Sequence, residues 1–159
     1  VTGEPMTMTS QGLGNMLTGL QTMENENNHL VDEVFECAAE LINRCTEPML
    51  PHDIASSLFG LQGVNVLTQE VRALLISLID KMARSLLQWS PKEIGYALVG
   101  LSGLQQTASS SDEVVRVIEQ INVKLSQSEL QGQPGVTFRL YGGKGFKILD
   151  AFGNVICKG

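Results

Sequence analysis

A chain of 159 residues and 17.2 kDa has the length of one ordinary domain, enough to bury a core without disulfide or metal staples. Apolar residues make up 43% and charged residues 18%, which excludes general disorder; the most apolar windows are broken by Arg72, Asp80 and Lys81, so no run reaches a membrane span. The formal charge is −6, unevenly placed: residues 1–135 carry seven basic against sixteen acidic side chains, whereas residues 136–159 carry Arg139, Lys144, Lys147 and Lys158 against Asp150 alone. The acidic part repels phosphate backbones, and the basic end attracts nucleic acid, an acidic partner or the protein's own acidic body. Val1 to Ser10 hold neither a basic n-region nor an apolar h-region, so no signal peptide is expected and the protein reads as soluble and intracellular.

In chain order, the first feature is a repeat. Gly-Leu pairs recur at 19–20, 60–61 and 100–101, each at the end of a matching stretch. The aligned apolar set is Leu13/Ile54/Ile94, Leu17/Leu58/Leu98 and Leu20/Leu61/Leu101. Spacing of four and then three places these residues on one helix face. Ser90, Pro91 and Glu93 predict an N-cap, a first-turn proline and a capping box; Pro51 and Asp53 stand at matching places in the second copy, and Ser10 and Gly12 in the first. A second helix is expected after each, over Glu33 to Cys45, Glu70 to Leu87 and Glu113 to Leu130, with Val34, Val71 and Val114 as equivalents and Thr68 and Ser111 as N-caps. The unit is helix, loop, helix. Its three copies cover about 8–48, 49–88 and 89–131. A lone helix pair cannot bury its apolar face but stacked pairs can, so residues 1–135 are expected to form a short α-solenoid in a mainly α fold. Gly19, Gly60 and Gly100 read as positions inside helices where a neighbouring helix comes close.

Gln131-Gly-Gln-Pro-Gly135 ends the third copy with breakers, and the period then changes. Val136, Phe138 and Leu140 alternate with Thr137, Arg139 and Tyr141, as in a strand. Gly142-Gly-Lys-Gly145 predicts a turn, Phe146 to Ala151 a return strand, and Val155 to Cys157 a short third strand. Residues 136–159 are therefore expected to form a β-hairpin or meander. It either packs on the helices as a cap or grips another chain, because a lone hairpin is marginal in water.

Few residues suggest chemistry. Gly142-Gly-Lys-Gly145 lacks the P-loop spacing and leads into a strand, so a plain turn is the better reading. His29 and His52 have no Cys or His at ligand spacing, and neither a metal nor a cofactor is expected. Cys37 and Cys45 share a helix face and read as buried small apolar residues; Asp32, Glu33, Glu36 and Glu40 read as a solvated acidic face. The aromatic residues are more informative. Equivalent positions hold Asn15/Ser56/Tyr96 and Thr18/Phe59/Val99, so the residue changes from copy to copy while its frame stays fixed. One-base-per-repeat RNA readers behave this way, and so do protein-binding solenoids. Filling of the inter-repeat core by Phe59 and Tyr96 is the plainer alternative.

Gly14-Asn-Met-Leu-Thr-Gly-Leu-Gln21, Ala55-Ser-Ser-Leu-Phe-Gly-Leu-Gln62 and Gly95-Tyr-Ala-Leu-Val-Gly-Leu-Ser102 resemble the core of octotricopeptide-like helical repeats, and Glu70-Val-Arg-Ala-Leu-Leu75 looks like the second-helix stretch of related algal repeats. The resemblance covers roughly residues 8–130. It implies a nucleus-encoded α-solenoid of a plastid or mitochondrion, in a family whose members typically bind organelle transcripts. Two departures separate this chain from such RNA readers: three copies where they string together many, and acidic character where a groove tracking RNA is basic. The expected function is therefore a non-enzymatic interaction module, an accessory or scaffold subunit docking onto a larger organellar complex such as a photosynthetic or respiratory one. Its partners would be other protein subunits, at a membrane complex or elsewhere. Single-stranded RNA binding is the alternative. Asn15, Ser56, Phe59, Tyr96, Arg139, Tyr141, Lys144 and Lys147 are the candidate partner-binding residues.

Overall fold

The computed structural model describes residues 7–130, 135–140 and 146–159. Their elements are α1 (Ser10–Thr18), α2 (His29–Arg44), α3 (Pro51–Phe59), α4 (Gln69–Arg84), α5 (Pro91–Gly100), α6 (Ser102–Ala108), α7 (Asp112–Ser126), β1 (Thr137–Leu140), β2 (Phe146–Leu149) and β3 (Val155–Lys158). The protein is mainly helical with a small antiparallel sheet of order β1-β2-β3 at its C-terminal end. No described helix is long and apolar enough to cross a membrane.

The helix starts follow local chemistry. Ser90 accepts from the Glu93 N–H while the Glu93 carboxylate accepts from the Ser90 N–H, closing the predicted capping box behind Pro91. Thr68 and Ser111 cap α4 and α7 as expected. The α1 cap is Thr9 rather than Ser10, whose hydroxyl instead crosses to the buried Asp53 carboxylate at 2.7 Å.

Helices pack in two rows. α1 packs on α3 and α3 on α5; α2 packs on α4 and α4 on α7. Leu13, Leu17, Ile54, Leu58 and Ile94 are fully buried between the rows, together with Phe35, Leu74, Leu75 and Trp89. Each row has a recurring contact. In the first, Gly60 lies against the Leu17 backbone and Gly100 against the Leu58 backbone, so closely that a Cβ would collide with either carbonyl. In the second, Lys81 Nζ donates to the Cys45 carbonyl at 2.7 Å and Lys124 Nζ to the Ser85 carbonyl at 2.8 Å. Cys45 and Ser85 are the C-caps of α2 and α4, so each lysine closes the carbonyl end of the preceding helix.

Several expectations need correction. Gly19 and Gly60 are C-caps, and Gly100 is the last residue of α5, so the glycines sit at helix ends rather than inside helices. The second helices start earlier: α2 begins at His29 and α4 forty residues later at Gln69, which makes Val31, not Val34, the equivalent of Val71. They also stop earlier, at Arg44, Arg84 and Ser126. The third copy carries an additional helix, α6, where the first two have turns. Asp32 is buried, not solvated: its Oδ1 accepts from Asn25 at 3.1 Å and from Thr68 at 3.0 Å. Cys37 is exposed while Cys45 is buried. The predicted breakers at 131–134 and the turn at 142–145 lie outside the described residues.

Candidate partner-binding surface

Strand alternation builds the surface. Phe138, Ile148 and Cys157 are cross-strand partners and turn one face of the sheet towards the helices. On the opposite face Arg139 pairs with Lys147, and Lys147 with Lys158. Three basic residues therefore stand in one row across three strands, their Cβ atoms about 5 Å apart per step as in directly opposed pairs. Arg139 and Lys158 are exposed and Lys147 is half-buried.

Phe146 fixes the sheet to the helices. Its ring fills the place of the missing Cβ of Gly95, so that a side chain there would collide with it. Tyr96 meets Phe146 edge-on at 5.4 Å between centroids and meets Phe59 edge-on at 5.3 Å. Such pairs add about 0.5–1.5 kcal/mol each beyond burial. On α1 the equivalent of Gly95 is Gly14, which faces Asp53 and Ser56 of the next helix. The sheet thus covers on α5 the side that α3 covers on α1. Lys92 Nζ lies 5.8 Å from the Tyr96 ring centroid.

The candidates fall into separate groups. Arg139 and Lys147 are neighbours in the cationic row, and Phe59 and Tyr96 are neighbours in the aromatic relay. Ser56 is half-buried against α1, where its carbonyl accepts from the Thr18 hydroxyl at 3.1 Å. Asn15 is exposed on α1, whereas Ser56 and Tyr96 are half-buried. Tyr141 and Lys144 lie outside the described residues. Lys158 joins the row although the sequence did not single it out. Its pairing depends on a register shift at Ile148/Leu149, which no spacing rule supplies.

Among the described residues no group of three or more His, Cys, Asp and Glu could hold a metal ion. Burial pushes the Cys157 thiol above its ordinary pKa, with Lys92 opposing, which disfavours the nucleophilic thiolate. Comparison with protein-family models, curated proteins and solved structures found no match.

Proposed function

We propose that this chain is a non-enzymatic helical-repeat interaction module, an accessory or scaffold subunit that docks onto an acidic surface of a larger protein assembly. The observation that carries the reading is the Arg139–Lys147–Lys158 row, three cations in register on the outer face of the sheet. Charge complementarity would steer an acidic partner towards the row. The two helix rows, with glycine seats and lysine caps recurring from unit to unit, support a short α-solenoid as the scaffold. The organellar setting, in a plastid or mitochondrion, rests on the octotricopeptide resemblance alone.

Single-stranded RNA is the second reading, favoured by the same row together with Lys92 over Tyr96. One experiment separates the two. The full chain and its R139E/K147E/K158E variant are titrated with an oligoglutamate peptide and with oligouridylate at several salt concentrations. The protein-docking reading expects the peptide to bind the native chain and the variant to bind at least about tenfold more weakly, a loss of about 1.4 kcal/mol. RNA binding with log K falling, per tenfold rise in salt, by about 0.7 for each neutralised phosphate, without peptide binding, would replace it with the RNA reading.

A further inference from the structure

The α4–α5 connection, Ser85 to Ser90, is a second unusual surface, separate from the sheet. A cavity of about 550 Å³ opens on one side of it, lined by Ser85, Leu86, Leu87, Val123 and Lys124 among others. A smaller one of about 180 Å³ adjoins it at Gln88, Trp89, Ser90 and Glu129. Lys124 is only 4% exposed and its ammonium makes a single hydrogen bond among the described residues, to the Ser85 carbonyl. The Ser85 hydroxyl and the Trp89 indole N–H are buried without a partner among the described residues. Lys124, on α7 beside the loop, thus keeps spare donor capacity at the groove, since an ammonium has three donors. Beside it stand apolar side chains facing water: Leu86 is 98% exposed, with Leu87 and Val123 also exposed.

The preceding unit provides an internal comparison. Lys81 caps Cys45 as Lys124 caps Ser85, but the residues after Cys45 are Thr46 and Glu47, where those after Ser85 are Leu86 and Leu87. The lysine cap is therefore common to both units, whereas the apolar wall belongs to this groove. We propose that the Ser85–Ser90 groove is a docking site for an extended segment of a partner protein that carries a carboxylate beside aliphatic side chains. The carboxylate accepts from Lys124, and the aliphatic side chains cover Leu86, Leu87 and Val123. Glu129 at the far end disfavours a second carboxylate there.

Trp89 is the chain's single tryptophan and so reports on the site directly. The test titrates the full chain with a serine-flanked nonapeptide centred on Leu-Glu-Leu and with its Leu-Gln-Leu twin, following Trp89 emission. The expected result is saturable binding with the glutamate peptide at least about tenfold tighter. Lys124→Met is expected to abolish that preference. Because Lys124 also caps α4, the double variant Leu86→Ser/Leu87→Ser provides a second arm; these exposed changes leave helicity and melting unaltered and weaken both peptides at least about tenfold. Equal affinity for the two peptides, no saturation up to about 1 mM, or full affinity in the serine variant would each overturn the proposal. Neither variant touches the cationic row, so failure here leaves the sheet's proposed role to its own test.

Discussion

A Cβ added at Gly60 would run into the carbonyl of Leu17, and the same relation recurs one unit later between Gly100 and Leu58. The obstacle is backbone, which cannot rotate away as a side chain does. Gly60→Ala and Gly100→Ala are therefore expected to push neighbouring first helices apart and cost about 3 kcal/mol or more, the upper end of overpacking effects. Gly19 is the internal control. It is exposed, has an ordinary right-handed conformation at φ −61, and would meet only its own helix. Gly19→Ala is expected to change stability by no more than about 1 kcal/mol. Urea denaturation of the three variants checks this; equal losses at all three positions would refute the packing account.

The attachment of the sheet depends on the Phe146 ring and the bare Cα of Gly95. Phe146→Ala removes the ring and its edge contact with Tyr96, and is expected to cost about 3–5 kcal/mol as aromatic truncations in cores do. Gly95→Ala reaches the same contact from the other side. If the sheet is attached as described, both variants speed hydrogen exchange in β2 and β3 while the α2 and α4 amides stay protected. Unchanged exchange in β2 would show that the ring does not hold the sheet.

Much of this arrangement was legible because it follows local rules. The spacing Leu13–Leu17 and Ile54–Leu58 gave the buried face of each first helix, and Ser90-Pro-Lys-Glu93 gave a helix start with its cap. The change of period after Gly135 gave the sheet. What stayed hidden depends on residues far apart in sequence. Asp32 looks like part of an acidic stripe until Asn25 and Thr68 are placed around it. The row through Lys158 needs the β2–β3 register, set by an irregularity at Ile148/Leu149. The Lys124 cap needs the end of α4 laid beside α7.

Asn25 is the tightest polar link between the first two units. Its side-chain amide donates to Asp32 and to the Val66 carbonyl, and its oxygen accepts from the Asn65 and Val66 N–H groups. Only a carboxamide supplies donors and an acceptor in this way. Asn25→Ala is expected to cost about 1–3 kcal/mol, because it removes a partner of the buried Asp32 carboxylate and the partners of part-buried backbone groups of the next loop. Asn25→Asp keeps the acceptor but sets a second carboxylate beside Asp32. Its cost is expected to exceed that of alanine near pH 7 and to shrink in acid as one of the two carboxyls protonates. Melting curves at two pH values check this, and a pH-independent loss for the aspartate variant would contradict it.

Asp150 governs the turn from β2 to β3. Its carboxylate accepts from the Asn154 N–H at 2.9 Å, from the Phe152 N–H at 2.9 Å and from the Asn154 side-chain amide at 3.1 Å, closing a turn in which Gly153 has φ +83. These donors, the Asn154 N–H foremost, hold the carboxyl below its ordinary pKa. A depressed folded pKa means that the contribution to stability is complete above the unfolded value of about 3.9 and is lost as pH falls through the lower folded value. Exchange of the Asn154 amide should therefore be pH-independent, after correction for intrinsic rates, above about pH 5 and accelerate below about pH 4. Asp150→Asn, which cannot ionise, should exchange faster at neutral pH and lose the acid step. Titration of the Asp150 carboxyl carbon by NMR gives the direct reading, and a midpoint at or above that of an unstructured aspartate would show that the turn does not stabilise the charged form.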